Sequence, residues 1–128
     1  MVKEYKKGSK VQISEHFNLS EFDCHCTSPT CTVTYLDNTL ISRLELVRNE
    51  MQTPLKIMSG FRCTEHNRLV GGKPGSQHLQ GKAADITPPD ISLLKPLRKV
   101  CDLLMDGVGA YSTFIHGDVR GYAARWIG

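Results

Sequence analysis

The sequence predicts an α+β domain, and three observations carry that reading. Two amphipathic helical stretches stand out by their apolar spacing. Short apolar runs lie between them, and three strand-like runs follow one another near the C-terminal end. Consecutive strands after interleaved helices favour a central, mostly antiparallel sheet flanked by helices over a doubly wound parallel one.

Residues 1–35 read as an irregular arm, with Thr, Ser and Pro over 27–34 marking a loop. Asp37 is placed to cap a helix in which Leu40, Ile41, Leu44, Val47 and Met51 form one apolar stripe. Thr53-Pro54 stops it. Leu55 to Met58 reads as a strand, turned by Ser59-Gly60. Thr64 to Val70 reads as a short helix with Thr64 as cap and Gly71 just past its end. A loop rich in Gly, Ser and Pro follows, from Gly71 to Gly81. Ala83 to Ile86 is a strand, stopped by Pro88-Pro89. Pro96 suits the first turn of a second helix, whose buried face is Leu97, Val100, Cys101, Leu104 and Met105, with Gly107 ending it. Val108 to Tyr111, Phe114 to Arg120 and Tyr122 to Trp126 read as strands joined by short turns.

Composition narrows the classes. The chain has 128 residues, 40% hydrophobic and 23% charged, which suits one globular domain over 1–128 and excludes a disordered or fibrous chain. A net charge of +3 is too mild to imply nucleic acid and fits weak attraction to an anionic polymer such as a cell wall. No apolar run approaches the roughly 20 residues of a membrane helix, so no membrane insertion is expected. The lysines at 3, 6, 7 and 10 are followed by no apolar segment, so no signal peptide is read there.

The chemistry concentrates in two stretches. In Ser76-Gln77-His78-Leu79-Gln80-Gly81-Lys82-Ala83-Ala84-Asp85, a His in a Gly-flanked loop precedes an Asp in an apolar strand. The alanines beside Asp85 predict a buried carboxylate, which needs a partner because desolvating it alone costs several kcal/mol. A metal ion, an Arg or backbone amides could each serve. In Phe114-Ile115-His116-Gly117-Asp118-Val119-Arg120, strand alternation turns His116 and Asp118 to one face and Ile115 and Val119 to the core. An aligned His and Asp near another His and Asp are the makings of a zinc site, and three protein ligands with an open fourth position are the catalytic pattern. A hydrogen-bonded His–Asp pair on a solvated face is the alternative.

These motifs come in a specific order: Ser59-Gly60-Phe61-Arg62, Glu65-His66-Asn67, Val70-Gly71-Gly72, Ser76-Gln77-His78, Gly81, Ala83-Ala84-Asp85, and His116, Asp118 and Arg120. From about residue 14 onward the chain resembles the D-alanyl-D-alanine carboxypeptidase and L-alanyl-D-glutamate endopeptidase group of zinc peptidases. That group shares a superfamily with lysostaphin and the hedgehog signalling domain, and bacteriophage endolysins of this type are similar in size.

The resemblance implies a small hedgehog/DD-peptidase-like domain with zinc on His78, Asp85 and His116. It implies Arg62 as a holder of a substrate carboxylate or carbonyl, a task suited to a planar guanidinium. Gln77 becomes a contact to substrate backbone. A turn-stabilising ion pair of Arg62 with Glu65 or Asp85, and a loop hydrogen bond for Gln77, are the alternatives. The implied reaction is hydrolysis of peptidoglycan stem peptides by a monomer, made in the cytoplasm and acting at the bacterial wall in phage release or within a virion. Many members carry Asp or Glu three residues before the last ligand as general base, and here that position is Thr113. Asp118 is the nearest carboxylate for the task, or else it orients His116; His66 is a further candidate. Because the hedgehog domain retains zinc without needing hydrolysis, a non-catalytic zinc-containing binding module is the rival reading.

Cys24, Cys26 and Cys31 cluster before the first helix, and Cys63 follows Arg62 directly. Three states are open to them: a structural zinc, with His25 as an alternative ligand; a disulfide from Cys63 to one of the cluster; or free thiols. Cys101 lies on a buried helix face and reads as core. Phe17 and Phe22 read as anchors of the arm, and Trp126 as core rather than groove wall.

Overall fold

The computed structural model describes residues 1–128. Its strands are β1 (Val2–Lys6), β2 (Val33–Asp37), β3 (Lys56–Ser59), β4 (Ala83–Thr87), β5 (Gly107–Ala110), β6 (Ile115–Asp118) and β7 (Ala124–Ile127). Its helices are α1 (Asn38–Met51), α2 (Thr64–Leu69) and α3 (Leu94–Leu104), with single 3-10 turns at Leu19–Phe22, Gln77–Gln80 and Ile91–Leu93. The fold is α+β, as the order of elements predicts.

Five strands form the central sheet in the order β3-β4-β6-β5-β7. Every pairing is antiparallel except the last, β5 with β7, which is parallel. Strand alternation divides the chemistry of this sheet. On one face Ile57, Ala84, Ile86, Val108 and Ile115 join Leu40, Leu44 and Val47 of α1 and Leu97 and Cys101 of α3 in one core. The side chains between them, Asp85 on β4 and His116 and Asp118 on β6, turn to the opposite face. The same strands therefore carry the core on one side and the polar groups on the other.

The arm is better ordered than its sequence predicts. Residues 2–6 and 33–37 form an antiparallel ribbon in which Val2 pairs with Asp37 and Lys6 with Val33. The lysines of β1 hide it in sequence, because they leave most of the strand exposed and only Tyr5 packs against the core. Its partner also lies some thirty residues away. Phe17 and Phe22 are buried and meet edge to face at 6.1 Å, so they anchor the arm as expected.

Helix boundaries follow local chemistry. Asp37 Oδ1 accepts from the Thr39 N–H at 2.8 Å and caps α1, as expected. The residue capping α2 is Cys63, not Thr64: its sulfur accepts from the His66 N–H at 3.4 Å. Helix α3 ends at Leu104 with Met105 as its cap, and Gly107, expected as its terminator, instead opens β5.

A second tie fixes the arm to α1. Glu45 accepts from the His16 N–H at 2.7 Å and lies 2.6 Å from the His16 ring Nδ1. Burial alone would raise the Glu45 carboxyl, but the Ser14 hydroxyl and these contacts with His16 hold it below the usual carboxylate range. A depressed folded-state value stabilises the fold above the unfolded pKa of about 4.3, and that contribution is lost as pH falls through the folded value. Glu45→Gln should therefore cost about 1–2 kcal/mol at neutral pH and clearly less at about pH 3, below the unfolded value. Urea unfolding of both proteins at the two pH values checks this, and a pH-independent difference would refute it.

Candidate metal centre

Local sequence sets each candidate ligand in place. Ser76 caps the turn at Gln77–Gln80 by accepting from the His78 N–H at 3.2 Å. Gly81 then reverses the chain with φ +71, where a Cβ would stand 2.3 Å from the Tyr35 carbonyl oxygen. No residue with a side chain fits that position. The chain enters β4, and Asp85 lies directly opposite His116 in the β4–β6 register. One tight turn and one strand pair thus bring His78, Asp85 and His116 together, all buried.

Their outer hydrogen bonds decide what these groups offer. The far nitrogen of His78, Nδ1, is 2.7 Å from the Gly60 carbonyl and can only donate to it. The far nitrogen of His116, Nε2, donates to Asp118 Oδ2 at 2.7 Å. The inner nitrogens, His78 Nε2 and His116 Nδ1, lie 3.2 and 3.1 Å from Asp85 Oδ1. Two nitrogen lone pairs and a carboxylate oxygen therefore converge. Such a group requires extra protons or a cation between its members. Donors on one tetrahedral zinc stand about 3.3 Å apart for bonds of about 2.0–2.1 Å, so the two measured contacts fit the ion.

The electrostatics agree. Burial would raise the Asp85 carboxyl, but His116 and His78 hold it well below the usual carboxylate range. Burial would lower the His116 imidazole, yet Asp118 and Asp85 hold it above the usual value. Arg62 closes the other side of Asp85, with Nη2 3.2 Å from Oδ2. Its Nε donates to Ser59 Oγ at 3.0 Å and its Nη1 to Asn67 Oδ1 at 3.3 Å. The ion pair of Arg62 with Asp85 is thus present, while the guanidinium still lines the cleft.

Asp118 is not placed to take a proton from a water in the cleft. Its side chain has no exposure, and its oxygens accept from His116, from the Gly107 N–H at 3.0 Å and from Arg120. Arg120 grips it with Nε at 2.9 Å and Nη2 at 2.6 Å. Burial is again outweighed, and the carboxyl lies well below its usual range. The geometry matches the orienting alternative: Asp118 fixes the His116 ring and its tautomer. His66 lies away from the cleft, with its ring 6.5 Å from that of His25, and Thr113 sits in an exposed turn.

The three candidate ligands lie in a cleft of about 810 Å³ that also exposes Arg62, Gln77, Arg120 and Trp126. Trp126, expected in the core, is a wall: its ring lies 5.0 Å from that of His116 and its Nε1 donates to the Tyr111 hydroxyl at 3.0 Å. A Cβ on Gly109 would strike it at 2.4 Å, so β5 makes room for this ring. In the sequence reading Arg120 is only part of the motif and Gly107 only a helix terminator, and neither is given a role at the site. Arg120 was within reach of it, since residues 116, 118 and 120 alternate to one side.

Gly107 is the most confined of these supports, because an added Cβ would lie 2.2 Å from Asp118 Oδ2. Gly107→Ala should displace Asp118 from His116 and weaken zinc binding about 10–100-fold, the usual scale for disturbing a ligand's outer partner. Gly75→Ala, which meets nothing within 4 Å, should leave it unchanged. Competition with a chromophoric chelator measures both, and equal affinities would refute the role given to Gly107.

A search of curated proteins finds no match. The peptidase M15 family matches residues 15–118, a span that takes in His78, Asp85, His116, Arg62 and Asp118. The match covers most of the sequence, and the chain therefore belongs to the peptidase M15 family of zinc-dependent peptidases.

Proposed function

We propose that this protein hydrolyses peptide bonds in the stem peptides of bacterial peptidoglycan, at L-Ala–D-Glu or D-Ala–D-Ala, with zinc on His78, Asp85 and His116. The observation that carries this reading is the convergence of three buried donor atoms on an open cleft. The cleft also carries Arg62, Lys73 and Arg120, and Asp85 is the one carboxylate among its lining residues. Cationic walls suit a peptide bearing free carboxylates, as stem peptides do.

Zinc, when bound there, lowers the pKa of a coordinated water to about 7 and polarises a carbonyl. The chain's own residues do the rest. His78 keeps its proton on Nδ1 at the Gly60 carbonyl, and His116 keeps its proton on Nε2 at Asp118, so both inner nitrogens stay free to ligate. Arg62 supplies positive charge beside Asp85, where a substrate carboxylate or carbonyl oxygen would lie. The Gln77 amide at the rim bonds substrate backbone, and Trp126 closes one side against water. Asp118 acts through His116 as a positioning residue. The protein acts as a monomer at the bacterial wall, in phage release or as part of a virion.

A second reading has one observation in its favour. The cleft holds no carboxylate free to act as a general base, which also suits a zinc-bearing module that binds wall peptides without cutting them.

Mass spectrometry of purified peptidoglycan, with and without chelator, separates the two. New stem-peptide fragments that vanish on metal removal and return with zinc are the expected result, and their masses name the bond. Unchanged peptidoglycan from several wall types with zinc present would overturn hydrolysis in favour of the binding module.

Asp118→Asn should lower kcat about 10–100-fold with little change in KM, because it loosens the His116 ring without touching substrate. A rise in KM at constant kcat, read from steady-state kinetics on the released fragment, would place Asp118 against the substrate instead.

A further inference from the structure

The arm and the Arg62 turn meet at a second cluster, remote in kind from the first. Cys24, Cys26 and Cys31 come from the segment between the turn at Leu19–Phe22 and β2, and Cys63 caps α2 immediately after Arg62. The four sulfurs all lie within 4.8 Å of one another. Cys63 Sγ stands 3.7 Å from Cys24 Sγ and 3.9 Å from Cys26 Sγ.

Those spacings discriminate among the three states open to the cysteines. A disulfide would draw two sulfurs to about 2.05 Å and leave the others outside it. Every cysteine in the chain is instead free. Four thiolates on one tetrahedral zinc, with bonds of about 2.3 Å, stand about 3.8 Å apart. The measured contacts of Cys63 match that edge.

Donors surround the sulfurs as thiolates require. The Cys63 N–H donates to Cys24 Sγ at 3.4 Å, and the His66 N–H to Cys63 Sγ at 3.4 Å. Lys7 Nζ lies 3.6 Å from both Cys26 Sγ and Cys31 Sγ and bonds the Cys26 carbonyl at 3.3 Å. A divalent ion on four thiolates carries a net charge of −2, and the Lys7 ammonium offsets part of it. His25 is exposed and outside the cluster, so the ligand set is all sulfur. The segment also needs a fastening: His25, Thr27, Pro29, Thr30 and Thr32 are all exposed, and Cys24 is its one buried side chain.

We propose that Cys24, Cys26, Cys31 and Cys63 hold a structural zinc ion in a closed tetrathiolate site, distinct from the His78–Asp85–His116 centre. The site has no open position for substrate, and soft sulfur ligands in this geometry select zinc. It joins the arm to Cys63 and so fixes the turn that carries Arg62.

The test measures metal in the full-length protein purified under reducing conditions, as wild type and as His78→Ala. The expected content is two zinc ions per chain in wild type and one in His78→Ala. A thiol-specific mercurial should release that remaining ion as the cluster's four thiols react. Cobalt substituted for it should give intense thiolate-to-metal charge-transfer bands.

The proposal is overturned by a His78→Ala protein that holds no zinc while its thiols are free. It is equally overturned by iron in place of zinc, or by a mass two hydrogens lighter from a disulfide. Wild type gives an answer independent of how His78→Ala folds, since the mercurial should release one of its ions and leave the other. A single ion that the mercurial cannot release would overturn the cysteine site and leave the His–Asp–His centre standing. A single ion that it does release would support the cysteine site and count against that centre.

Discussion

The constraint on which this structure turns is the meeting of three electron-pair donors in a buried space. His78 Nε2, His116 Nδ1 and Asp85 Oδ1 face one another because each is held from behind or by its strand. Left alone, such an arrangement is repulsive unless protons or a cation intervene. The Gly60 carbonyl, the Asp118 carboxylate and the Arg62 guanidinium all act to preserve it. Each fixes a tautomer or a carboxylate that would otherwise relax away.

The supports behind the ligands depend in turn on absent side chains. Gly107 admits Asp118 and donates its own N–H to it, and Gly109 admits the Trp126 ring. Both lie on β5, beside β6 in the sheet. One smooth strand therefore lets its neighbour carry a buried carboxylate and lets the far strand β7 lean its tryptophan toward the ligands. Arg120 completes this layer by neutralising Asp118 and by lying 5.1 Å from the Trp126 ring.

Much of the fold and site was legible in the sequence, for identifiable reasons. The apolar stripe of α1 and its Asp37 cap are local signals, and so is the alternation that puts His116 and Asp118 on one face. The meeting of His78, Asp85 and His116 was legible because their residue types are few and their neighbours distinctive. What escaped is set by partners distant in sequence. Asp118 looked available as a base because its enclosure comes from Gly107 on another strand and from a turn that folds Arg120 back. Trp126 looked like core because its place beside His116 depends on the parallel pairing of β7 with β5. The β1–β2 ribbon escaped because its two halves lie far apart in the chain and one is rich in lysine.

The direct pairing of Asp85 with His116 has a further consequence. A shift of one residue between β4 and β6 would turn one of the two toward the helices and set it among apolar side chains. Only one alignment of these strands lets both reach the same ion. Metal binding there would then be an error check on assembly, since a chain paired out of step could not complete the ligand set. The ion that equips the cleft for chemistry would also report that the sheet beneath it had been correctly put together.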